Sequence, residues 1–132
     1  MVASRALLAV CARDRSTLSF RRHQRRRARL DVNVISRQWR GLARPDQAQN
    51  YVQHLRIETF PALRELPGFV SASILSRRVG DGIEFLVVTQ WDSLDAITRF
   101  AGADPDAAVV PAEVAAMMIE YDRRVRHFEV VE

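Results

Sequence analysis

Residues 84–100 read EFLVVTQWDSLDAITRF. The first half is a run of apolar and β-branched residues ending at Trp91, and a polar segment with helical spacing starts immediately after it. A strand with one face in water alternates strictly between apolar and polar; this one is apolar on both sides. Phe85, Val87 and Trp91 share one face, with Leu86 and Val88 on the other. It therefore reads as a central strand that needs cover twice. Asp92 fits the N-cap of the following helix, with Asp95 in its first turn. Leu94, Ile97 and Phe100 supply that helix with an apolar side.

Upstream, FVSASILSRRV (69–79) is a second strand, joined to the first by the turn signal GDG (80–82), so the two form an antiparallel hairpin. Phe69, Ser71, Ser73 and Leu75 are expected on one face, and Val70, Ala72 and Ile74 on the other. Residues 45–68 carry Ala48, Val52, Leu55, Thr59, Ala62 and Leu66 at three- and four-residue steps, which predicts one buried helical face. Pro45 suits the first turn, and Pro61 should kink or break the helix near Glu58–Phe60. Further upstream, VNVISRQW (32–39) predicts a strand. Downstream, 101–111 reads as an irregular connection, 111–122 as a short helix and 123–131 as the last strand. The order βαββαβ predicts an α+β, ferredoxin-like domain over residues 31–132: a four-stranded antiparallel sheet with helices on one face. The other face, apolar or small on two strands, predicts a homodimer packed sheet to sheet.

The chain has 132 residues, enough for one domain with a core of its own. Its single cysteine, Cys11, leaves no internal disulfide, and no run near 18 apolar residues suggests a membrane span. The three histidines (His23, His54, His127) are far apart and lack Cys partners, so no metal is expected. The charge is uneven. Residues 1–30 hold nine Arg against one acid, a net +8; residues 31–132 hold eleven Arg against fifteen acids, a net −4. All basic side chains are Arg, which reads as a compositional bias. Residues 1–30 read as an Arg-rich disordered arm or as sequence upstream of the true start. Their apolar stretch is short for a secretory signal, so a cytoplasmic location is expected. The acidic folded part, without an aromatic RNA-binding pattern, argues against nucleic acid as a partner.

Tyr51, His54 and Glu58 fall at three- and four-residue spacings on one flank of the first helix. A His between a phenol and a carboxylate suits a tuned base; the alternative is a solvated His–Glu pair. Trp39 fits either core or cavity rim, and Met117, Met118 and Tyr121 either a soft pocket wall or core packing. Arg77 and Arg78 suit an acidic group or plain solvation, and His127 a dimer face or sheet edge.

Trp39, LPGF (66–69), EFLVVTQWDS (84–93), FAG (100–102) and YDRRVRHFEV (121–130) together resemble the antibiotic biosynthesis monooxygenase family of dimeric α+β barrels. The resemblance spans residues 31–132. It implies a cavity between sheet and helices, and a cofactor-free reaction in which phenolic compounds are oxidised with molecular oxygen, or else haem binding and breakdown. In the polyketide enzymes the Trp of the QW element lines the cavity, and Trp91 matches it; their Asn four residues earlier is Val87 here. The haem-degrading members use a helix Trp, here Phe100, and a His beyond it, where this chain has none before His127. Catalytic roles are thus expected of His54, Tyr51 and Trp91, and cavity-lining roles of Trp39, Val87, Phe100, Met117 and Tyr121. The alternative is a non-catalytic barrel binding a small apolar ligand or haem.

Overall fold

The computed structural model describes residues 33–132; the reading of residues 1–30 lies outside them. The described elements run β1 (Ile35–Ala43), a 3-10 turn (Pro45–Gln47), α1 (Ala48–His54), a π-helical turn (Leu55–Thr59), α2 (Phe60–Arg64), β2 (Phe69–Val79), β3 (Gly82–Trp91), α3 (Leu94–Ala101), α4 (Ala112–Met117), β4 (Met118–Tyr121) and β5 (Arg126–Glu129). The sheet is antiparallel in the order β2-β3-β1-β4, and β5 also pairs with β1. This is the expected ferredoxin-like α+β architecture. The strand that decided the fold is indeed central, with β2 on one side and β1 on the other. Its alternation is visible in burial: Phe85, Val87, Thr89 and Trp91 are buried, while Leu86 and Val88 are only half-buried.

The fourth strand is split, where a helix over 111–122 and one strand over 123–131 were expected. Helix α4 ends at Met117, and Met118 turns extended. Residues 118–121 pair with the Gly41–Ala43 end of β1, and β5 pairs with Ile35–Gln38. Backbone pairing outweighs helix propensity here, because the end of β1 otherwise leaves its edge unsatisfied. The Trp39 indole bridges the break by donating to the Asp122 carbonyl at 2.7 Å. Strand β1 also runs to Ala43, beyond the expected end at Trp39. Gly41 stands where any Cβ would lie 2.5 Å from the Trp39 ring, so its lack of a side chain makes room for the indole.

Four finer expectations change. Strand β2 bulges between Phe69 and Ser71, which moves Phe69 to the face of Ala72 and Ile74, against Trp91. Pro61 sits in the first turn of α2, and the Phe60 N–H reaches five residues back to the Leu55 carbonyl. The expected kink is therefore a π turn. Its extra residue makes the buried series Tyr51, Leu55, Phe60, Leu63, Leu66, with Val52 and Thr59 only half-buried. The cap of α3 is Ser93, whose Oγ accepts from the Ala96 N–H at 3.2 Å, rather than Asp92. Asp92 instead donates its backbone N–H to the Gly68 carbonyl at 2.8 Å. Leu94, expected on the apolar side, is exposed; Ala96 and Ile97 take the core positions.

Helices α1, α2 and α3 cover the inner face of the sheet. The outer face carries exposed Val70 and Leu75 beside Ser71 and Ser73. It also holds a cross-strand ion cluster in which Arg40 and Arg77 each donate from Nε to Glu84 at 2.6 Å. Hydrogen bonds from Arg77 and Arg40 hold the Glu84 carboxyl below its usual range.

Candidate functional site

Between the sheet and the helices lies an apolar cleft, partly open to solvent, lined by Trp39, Tyr51, His54, Leu55, Thr59, Phe100, Val109, Val110, Pro111 and Val114. A second lobe shares Trp39, Tyr51, Leu55, Thr59, Phe100 and Val109, and reaches Arg37, Val87 and Thr89 on the sheet. Trp39 and Val87 are paired across β1 and β3, so the sheet register places both on the cavity floor. The walls come from the first helix, from Phe100 and from Val109, Val110 and Pro111 at the end of the 102–111 connection, the strap.

His54 closes α1 just before the π turn. Its side chain is only 8 % exposed, and Nδ1 lies 2.9 Å from Glu58 Oε2 and 3.8 Å from Glu113 Oε1. The pair with Glu58 exists because position i+4 across the π turn stays on the same side. Glu113 comes from the first turn of α4. Tyr51 is 2 % exposed, edge-on to Phe85 at 5.1 Å. Burial pushes its phenol far above the ordinary range, so it stays protonated. Tyr51 can therefore offer the cavity an O–H but not a base.

Trp91 is fully buried and lies behind the wall rather than on it. Its ring stacks on Phe100 at 5.6 Å and 22°, and its indole N–H donates to Thr89 Oγ1 at 2.9 Å. Phe100, rather than Trp91, faces both lobes, as Trp39 and Tyr51 do. Met117 packs half-buried against the core, and Tyr121 contacts Trp39 at 6.3 Å; neither lines a lobe. The structure thus brings His54, Tyr51, Trp39, Val87 and Phe100 to one cavity and leaves Trp91, Met117 and Tyr121 outside it.

Arg37 went unnoticed in the sequence. It is 5 % exposed, with its guanidinium 5.6 Å from the centre of the Phe100 ring. It donates to the carbonyls of Pro105 and Ala107 and to His127 Nε2, at 2.8 Å for Ala107 and 3.1 Å for His127. Burial pulls its pKa down to about 10, with Asp106 opposing the shift, so it remains charged at neutral pH. Because Arg37 can only donate, His127 accepts at Nε2 and carries its proton on Nδ1, 3.0 Å from Asp106 Oδ1. Arg124 adds ion pairs to Asp104 and Asp106 at 3.2 and 3.7 Å. The strap is thereby tied to β1, β5 and the 122–125 arch. Arg37 sits two residues from Trp39 on the same strand face, which is the signal that could have revealed it.

The model of the antibiotic biosynthesis monooxygenase family matches residues 34–110, from β1 into the strap. No curated protein sequence matches the chain. Among solved structures, a Bacillus cereus protein assigned as an antibiotic biosynthesis monooxygenase superposes with a TM-score of 0.53 at 16 % identity, over 76 % of this chain and 95 % of that one. A conserved protein from Methanosarcina mazei Go1 gives 0.54 at 10 % identity, over 73 % and 91 %. The ActVA-Orf6 monooxygenase of Streptomyces coelicolor, in complex with nanaomycin D, gives 0.50 at 20 % identity, over 76 % and 87 %. At these identities the three structures speak for the fold, while the sequence match speaks for the family. The chain belongs to the antibiotic biosynthesis monooxygenase family.

Proposed function

We propose that this protein is a cofactor-independent oxygenase of a small aromatic, phenolic molecule bound in the cavity. The observation that carries the reading is the placement of His54: a nine-tenths buried imidazole on the wall of an apolar, aromatic-lined cleft, with a carboxylate oxygen 2.9 Å from its Nδ1. The Glu58 carboxylate faces Nδ1, which leaves His54 Nε2 as the nitrogen to take a phenolic proton. The phenolate then supplies the electrons for oxygen. For an anthrone-type substrate a ring CH₂ becomes C=O, one oxygen atom enters the product, and the second leaves as water with the two hydrogens. Substrate alone balances the reaction. Trp39 and Phe100 offer ring faces to hold a planar ligand, and the apolar walls keep water from the anion.

The test is oxygen uptake by chelator-treated protein with a panel of phenols and anthrones. His54→Ala is expected to lower kcat/KM by about 10²-fold or more, in the range general-base removal produces. Tyr51→Phe is expected to cost less, because its phenol never ionises. No turnover across the panel would sink the oxygenase reading.

The second reading, a barrel that binds a small apolar ligand or haem without turnover, is supported by Val87, which puts an apolar side chain on the floor of the second lobe. A Soret shift on haem titration, with no oxygen uptake, selects it. In either case a second copy of the chain on the outer sheet face is the partner we infer. A cytoplasmic location belongs to the same proposal. Among the described residues no helix is long and apolar enough to cross a membrane.

A further inference from the structure

We propose that His54, Glu58 and Glu113 form a three-ligand site for a divalent transition-metal ion at the rim of the cavity. The ligand atoms of these three side chains all lie within 4.8 Å of one another. Nδ1 of His54 is 2.9 Å from Glu58 Oε2 and 3.8 Å from Glu113 Oε1. Two donors bound to one ion at about 2.1 Å stand about 3.4 Å apart at a tetrahedral angle, so the His54 contacts bracket the spacing a shared ion requires.

A second observation points to a missing partner. Glu58 Oε2 is buried and has no hydrogen bond. The 2.9 Å contact with His54 is short but not aligned as a hydrogen bond, so a nine-tenths buried imidazole and this one buried oxygen face each other without a bond, while the rest of the Glu58 side chain stays partly exposed. A buried carboxylate oxygen left in that state costs free energy, and a cation on the free side of both atoms removes the cost. The donor set also has a preference: one imidazole nitrogen with two carboxylates suits borderline ions such as zinc or cobalt better than magnesium.

The scaffold explains the convergence. The π turn keeps His54 and Glu58 in register, and α4 brings its first turn against α1. His54 also lines the cavity, so an ion held there sits beside the ligand space. Three protein donors leave open positions, which an oxyanion such as a phenolate can take. The site does not rest on the oxygenase reading. In loaded protein His54 is a ligand rather than a base, and the ion takes over the phenolate.

The test is Co²⁺ titration of chelator-stripped full-length protein, read by visible d–d absorption, with Zn²⁺ as competitor. The expected result is saturation at one equivalent, displacement by Zn²⁺, and at least tenfold weaker binding in Glu113→Gln and in His54→Gln. Glu120→Gln, on the far edge of the sheet, should bind as the parent does. Far-UV circular dichroism checks each fold, and Glu113→Gln, at a partly exposed position, keeps the test readable if His54→Gln unfolds. No saturable cobalt spectrum, or saturable binding unchanged in a folded Glu113→Gln, overturns the site. Oxygen uptake by the stripped protein is measured separately, so failure of either proposal is visible without the other.

Discussion

Arg37 shows how one residue can join the sheet to the cavity roof. Its side chain satisfies the two strap carbonyls of Pro105 and Ala107 while its charge stays inside the protein, beside His127. Burial, and then the Arg37 charge, hold the His127 pKa below its ordinary value. The sign of the pH dependence follows. A histidine whose folded pKa is depressed contributes stability that is complete above its unfolded value of about 6.5 and is lost as pH falls through the folded value. Charging His127 places a second cation against Arg37. The melting temperature is therefore expected to fall as pH drops below the ordinary histidine value of about 6.5, and His127→Gln should flatten that slope. Equal slopes in parent and variant would mean that His127 does not govern the strap. Neither residue was assigned this role from sequence, because the pairing of Arg37 with His127 depends on the register of two strands 90 positions apart in the chain.

At the scale of elements, two of the departures from expectation are matters of phase. The five-residue step from Leu55 to Phe60 is the mark of the π turn, and a strict three-four count passes over it. The bulge at Val70 reverses the face of Phe69 for the same kind of reason. The cap of α3 is a finer case, since Asp92 and Ser93 are both good caps by type. Geometry selects Ser93, whose Oγ accepts from the Ala96 N–H, while Asp92 Oδ1 is buried without a hydrogen bond. Ser93→Ala is expected to lower stability by about 1 kcal/mol in urea denaturation, and Asp92→Asn by less. The reverse order would restore Asp92 as the cap.

For the whole molecule, the outer face of the sheet is the main open surface. Exposed Val70 and Leu75 flank small serines, and the Arg40–Glu84–Arg77 cluster satisfies the charges beside them. A two-fold copy laid on this face would cover the central strand's second side, as its sequence pattern demands. Size-exclusion chromatography with light scattering is expected to return a dimer. A stable monomer at micromolar concentration would show that the apolar pattern serves another purpose.

The order of strands and helices, the central position of β3, the hairpin and the shared face of Phe85, Val87 and Trp91 were all legible in the sequence, because they follow from local periodicity and turn chemistry. So were His54, Tyr51, Trp39 and Phe100 as site candidates. The tertiary structure alone decided that Trp91 stands behind Phe100, that the last strand divides around Asp122, and that Glu113 meets His54 and Glu58. Each depends on contacts between segments distant in the chain, where packing and backbone pairing override local preference.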